Sequence, residues 1–86
     1  MQQATVVIRH EDGLHARPAF QFVKLARQFK SAISVSYREK TVNAKSMVLL
    51  LTLGANIDAE IMVVAEGEDE QEAIAALMEL VERDFP

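Results

Sequence analysis

The chain has 86 residues, half of them hydrophobic and about a quarter charged, which suits one domain with a modest core. It has no Cys, which excludes a disulfide framework and a thiolate metal site. The net charge of -4 argues against a nucleic-acid binder.

Thr5 to Ile8 reads as a first strand, rich in β-branched residues. Glu11-Asp12-Gly13 is a turn. A helix is expected from about Ala16 to Phe29, with Pro18 tolerated because it falls in the first turn. Ile33, Val35 and Tyr37 alternate with Ser34 and Ser36, the signature of a half-buried strand. Arg38-Glu39 turns the chain into a short strand near Lys40 to Asn43. Ser46 before the apolar run from Met47 to Leu53, and Gly54 after it, are helix start and stop signals. Periodicity alone leaves a buried strand open for the same run. Glu60 to Ala65 reads as a strand apolar on both faces, and hence central. Asp69 and Glu72 have capping-box spacing for a last helix that would bury Ala73, Ile74, Leu77 and Leu80 or Val81. The order is β-α-β-β-α-β-α, which predicts an α+β domain over residues 1–86: one four-stranded, at least partly antiparallel sheet with helices on one face.

The longest apolar run, Met47 to Leu51, is far too short to span a membrane. Met1-Gln2-Gln3 has none of the features of a signal peptide, so a cytoplasmic location is expected. Residues 1–57 carry eight Lys/Arg against three Asp/Glu, a net +5; residues 58–86 carry one against ten, a net -9. The first region therefore offers a basic face to an acidic partner or an anion, although an acidic solvated helix alone would produce the same asymmetry.

On the first helix Ala19, Phe22, Val23, Ala26 and Phe29 share one face, the core side. Arg17, Phe20, Lys24 and Arg27 fall on another, so Phe20 is an aromatic ring among cations: a docking anchor or a ring at the core boundary. A helix of two turns cannot bury all of Met47, Val48, Leu49, Leu50, Leu51 and Leu53, so some face outward. Exposed Met and Leu beside a basic rim suit an adaptable protein-binding patch, or a dimer contact.

His15 sits just before the helix that opens with Arg17 and Pro18, after a Gly that permits a tight turn. A helix start has N–H groups without intrahelical partners and partial positive charge, a seat for an anion. A neutral ring nitrogen there would be nucleophilic, and after phosphoryl transfer the terminus and Arg17 would bind the new oxygens. His10, between Arg9 and Glu11 at a strand end, is assigned no role. No Walker-type loop, carboxylate pair or metal-spaced cluster accompanies His15, so no cofactor or metal is called for and the remaining chemistry must come from partners.

Gly13-Leu14-His15-Ala16-Arg17-Pro18-Ala19, Lys45-Ser46 and Leu53-Gly54 together resemble the HPr family, the histidine phosphocarriers of the bacterial phosphoenolpyruvate-dependent phosphotransferase system. Glu66-Gly67-Glu68-Asp69-Glu70 resembles its enterobacterial members. The resemblance covers nearly the whole chain. It implies an open-faced β-sandwich, a four-stranded antiparallel sheet covered by three helices. It also implies a phosphocarrier rather than an enzyme, phosphorylated on Nδ1 of His15 by Enzyme I and discharged to sugar-specific IIA proteins. Arg17 would assist, the backbone of Ala16 and Arg17 would hold the phosphate, and Phe20, Lys24, Arg27, Met47, Val48 and Leu51 would form the partner surface. Ser46 carries over as a regulatory serine for an HPr kinase/phosphorylase, beside its plain reading as an N-cap. The chain is expected to be a monomer.

Leu49 and the ending Asp84-Phe85-Pro86 depart from the usual pattern. Leu49 to Leu51 and the Ala-rich last helix are similar to the nitrogen-related branch, which relays phosphate to a regulatory IIA protein. Three readings therefore stay open: a carrier in sugar uptake, a nitrogen-type paralogue, and an interaction module that is not phosphorylated on His15.

Overall fold

Alternation of apolar and polar residues builds the sheet. In the computed structural model, which describes residues 1–11 and 13–85, the elements are β1 (Gln2–Val7), α1 (Ala16–Ala26), β2 (Ala32–Tyr37), β3 (Lys40–Asn43), α2 (Met47–Leu51), β4 (Glu60–Glu66) and α3 (Glu70–Glu82). The expected Glu11–Gly13 turn includes Asp12, which lies outside the described residues, as does Pro86. The strand order is β1-β4-β2-β3, and every pair is antiparallel. β4 is central as its sequence predicts, with Ala4↔Val63 on one side and Val35↔Val63 on the other. Its insertion between β1 and β2 makes the sheet wholly antiparallel although β1 and β2 run the same way.

Ile33, Val35, Ile61, Val63 and Ala65 point to one face and are buried. Ser34, Ser36, Met62 and Val64 occupy the other face and are only half-buried, so the sheet is open on that side. α3 covers β1 and β4, α2 lies against β3, and α1 packs on both helices. Phe22, Ile8, Leu50, Ile61 and Leu77 are the largest fully buried side chains between the layers. Each such side chain contributes about 1.5–3 kcal/mol by leaving water. The core face of α1 is the expected one at Ala19, Phe22, Val23 and Ala26. Phe29 falls outside the helix and is half-buried, because Gln28 and Phe29 N–H donate to Leu25 and Ala26 carbonyls in tighter i→i−3 bonds.

The predicted capping box does not form. Asp69 is the N-cap of α3, but its side chain makes no bond to that helix. It accepts instead from Lys30 N–H at 2.8 Å, Ser31 N–H at 2.9 Å and the Ser31 hydroxyl. Three donors converging from the α1–β2 connection outcompete one local amide. Glu70 rather than Glu72 reaches back: it accepts from Gly67 N–H at 3.2 Å and pairs with the Met1 ammonium at 2.7 Å.

These contacts make stability depend on pH. The Ser31 hydroxyl, then the Lys30 amide, hold the Asp69 carboxyl below its ordinary 3.8. The Met1 ammonium, then the Gly67 amide, hold Glu70 below 4.5. Depressed carboxylates stabilise the fold fully above their unfolded values and lose that contribution as pH falls through the folded ones. The Met1 amine is raised above 8.0 by Glu70, so its share is complete below pH 8 and fades above. In urea titrations from pH 6 to pH 2.5, unfolding free energy is expected to drop below about pH 4. Asp69→Asn is expected to start lower at pH 6 and to lose less on acidification; parallel curves would contradict the assignment.

Candidate functional site

Ile8 and Leu14 are tied by backbone bonds to residues 55–59. Ile8 N–H donates to Ala59 O, Asp58 N–H to Ile8 O and Leu14 N–H to Ala55 O, each at 2.8 Å. Gly13 closes the turn into the site with φ 65°, donating its N–H to His10 O at 2.8 Å. Leu14 is buried, and the next residue, His15, is exposed.

His15 is the N-cap of α1, with extended backbone and no side-chain capping bond. Its imidazole is thus not consumed in holding the helix. The helical ladder begins with Ala19 N–H donating to His15 O at 2.9 Å. The N–H groups of Ala16 and Arg17 therefore precede the ladder, and Pro18 has none to offer. Leu14, His15, Ala16, Leu51, Gly54, Ala55 and Asn56 line an open depression of about 320 Å³. Leu51, at the end of α2, is brought here from far along the chain. Among the described residues, ion pairs join Met1 to Glu70, Lys30 to Glu68 and Arg83 to Glu79; Arg17, Lys24 and Arg27 belong to none of them.

Beside this lies an exposed apolar and basic surface. Phe20, Val23, Lys24, Arg27 and Met47 surround a second depression of about 420 Å³. Phe20 is 58 % exposed and Val48 72 %, and Leu49 and Leu51 also face solvent, whereas Leu50 is completely buried. One helix of five residues thus holds itself down by Leu50, with Met47 half-buried against the core, and turns Val48, Leu49 and Leu51 outward.

Sequence reasoning missed what positions α2. Arg27 Nε donates to Lys45 O at 3.0 Å, and Lys45 Nζ donates to Phe29 O at 2.7 Å, clamping the entry of α2 to the end of α1. Lys40 Nζ donates to Thr52 O at 3.0 Å at its far end, satisfying a carbonyl that the helix leaves open. These long cations read from sequence only as charge; backbone acceptors 12 to 18 residues away leave no local signal. Ser46 is the N-cap of α2 as predicted, accepting from Leu49 N–H at 3.3 Å. Because that bond is long, Ser46→Ala is expected to cost only about 0.5–1 kcal/mol in thermal or urea unfolding. A cost above about 2 kcal/mol would show that Ser46 does more than cap.

The family model described as "PTS HPr component, phosphorylation site" matches residues 2–83. The chain belongs to the HPr family. Among solved structures it is similar to HPr-C-His from Thermoanaerobacter tengcongensis, at 45% identity and a TM-score of 0.97, with 99% of this chain and 96% of that chain covered. It is similar also to a phosphocarrier protein HPr from Bacillus anthracis, at 38% identity and a TM-score of 0.89, covering 93% and 95%. The Bacillus subtilis catabolite repression protein Crh, crystallised as a swapped dimer, is 40% identical at a TM-score of 0.78, covering 98% and 97%. HPr proteins are phosphocarriers of the phosphotransferase system and not enzymes. The four-stranded sheet with three helices is the HPr architecture. No helix among the described residues is long and apolar enough to cross a membrane.

Proposed function

We propose that His15 is the phosphoryl acceptor of this HPr. In this reading Enzyme I, charged from phosphoenolpyruvate, presents its phosphoryl group to the Nδ1 lone pair of His15. The new P–N bond forms as the donor's bond to phosphorus breaks. The amides of Ala16 and Arg17 and the Arg17 guanidinium bind the phosphoryl oxygens, and the group then passes to a sugar-specific IIA protein. The observation that carries this reading is an exposed imidazole, free of capping duty, beside two amides that precede the helical ladder. The chain would work in the cytoplasm as a monomer, binding partners through Phe20, Lys24, Arg27, Met47, Val48 and Leu51. Cations outside ion pairs around an exposed aromatic ring favour an acidic partner.

Phosphorylation of Ser46 by an HPr kinase/phosphorylase would place a dianion at the start of α2, beside that surface, and repel an acidic partner. A second reading, a carrier to a regulatory IIA protein, is favoured by the exposed Leu49, which makes this surface more apolar.

Incubation with phosphoenolpyruvate and Enzyme I tests the proposal: one base-stable, acid-labile phosphate per chain is expected, and no incorporation from either a sugar-type or a nitrogen-type Enzyme I would refute it. The branch whose Enzyme I gives the higher kcat/KM identifies the relay. In the same assay Lys24→Glu is expected to raise KM for Enzyme I about five- to ten-fold with kcat nearly unchanged. Lys24 is the cleaner probe than Arg27, whose Nε also holds Lys45. An unchanged KM would remove Lys24 from the docking surface.

A further inference from the structure

The two residues after Arg83 have an unusual conformation. Asp84 and Phe85 both have left-handed backbone, with φ 61° and 53°. Non-glycine residues avoid that region, and an aromatic residue there is rarer still. The turn is closed by Asp84 N–H donating to Val81 O and Phe85 N–H to Leu80 O, both at 3.0 Å. It folds the last residues of the described chain back so that Phe85 is only 6% exposed. The Phe85 ring meets the His10 ring edge-on, with centroids 6.1 Å apart and planes at 79°. This is a favoured geometry for an aromatic pair.

His10 is where that contact gains consequence. Its carbonyl accepts from Gly13 N–H, two residues before His15. The loop that carries His15 is therefore held from two sides, by residues 55–59 through backbone bonds and by Phe85 through the His10 ring. We propose that Phe85 is a positioning residue for phosphoryl transfer: through His10 it fixes the turn that aims His15 at the amides of Ala16 and Arg17. Strain accepted at the chain end is offset by order at the site, the pattern expected where backbone outliers serve function. The proposal rests on His15 being the phosphoryl acceptor.

Phe85→Leu keeps an apolar side chain in the core and removes the ring, so it separates positioning from burial. In Enzyme I-dependent phosphorylation, at a temperature where every variant is folded, Phe85→Leu is expected to lower kcat about five-fold at unchanged KM, the scale of one aromatic pair. Phe85→Tyr, which restores a ring, is expected to restore kcat. His10→Ala is expected to lower kcat as well, and the double variant to lose less than the product of the two single losses, because both variants remove the ring contact they share. An unchanged kcat in Phe85→Leu, or losses that multiply in the double variant, would overturn the proposal. Amide exchange needs no phosphate and decides independently: Gly13 and Leu14 amides should exchange faster in Phe85→Leu while that of Leu50 does not. If the wild-type chain takes no phosphate, the phosphocarrier reading fails, and unchanged exchange at Gly13 and Leu14 would overturn the latch by itself.

Discussion

His15→Ala is expected to accept no phosphate from Enzyme I and to melt where the wild-type chain does. The first half follows from chemistry. The exposed depression at the start of α1 contains one nucleophilic side chain, and without its lone pair the phosphoryl group has no acceptor. The second half follows from packing. The imidazole is exposed and makes no capping bond, so the change is expected to alter stability by no more than about 0.5 kcal/mol. The backbone carbonyl of residue 15, which starts the helical ladder, survives the substitution. Complete loss of transfer at constant stability separates this residue from a structural histidine. Residual label in His15→Ala would place the phosphate elsewhere, and a melting point several degrees lower would show that the ring carries part of the fold.

The opposite pattern is expected at Gly13, where stability should fall. A Cβ on Gly13 would lie 2.5 Å from Ala55 O and 2.6 Å from Asn56 Cα. Both are backbone atoms, and Ala55 O also accepts from Leu14 N–H, so neither can retreat without breaking a bond. The left-handed φ of 65° adds about 1–2 kcal/mol for any L side chain. The steric clash adds about 1–3 kcal/mol. Gly13→Ala is thus expected to destabilise by about 2–5 kcal/mol, a melting shift of at least about 10 °C for a domain of this size. Phosphoryl transfer should slow as well, since relief of the clash moves the segment that leads into His15. A calorimetric scan of Gly13→Ala within 2 °C of the wild type would contradict the tight approach of these two segments.

The two sites differ in how far sequence could anticipate them. The place of His15 at a helix start was legible because helix punctuation is local: Gly13, Arg17 and Pro18 mark where the helix begins. That some apolar side chains of α2 face outward was legible because a short helix cannot hide them all; that Leu50 is the buried one was not. The role of Gly13 was legible only as a turn, because Ala55 and Asn56 approach it from more than 40 residues away. The same reason hid the insertion of β4 between β1 and β2, which no feature of β1 or β2 alone encodes. Asp69 was misread because spacing to Glu72 is a local cue, whereas the donors that claim its carboxylate, Lys30 and Ser31, are distant in sequence. Lys40, Lys45 and the ring contact between His10 and Phe85 belong to this group of long-range arrangements. Local cues place His15 at the start of a helix; tertiary contacts decide how that start is held.

The claim on which the rest depends is that the ring of His15 carries the transferred group. Phosphorus–nitrogen correlation NMR of the chain labelled in its histidine rings, after reaction with phosphoenolpyruvate and Enzyme I, tests it most directly. The account predicts a single phosphorus coupled to Nδ1 of His15, with the amide resonances of Ala16 and Arg17 shifting on phosphorylation. Coupling to His10, or a phosphorus signal with no ring nitrogen partner, would contradict it.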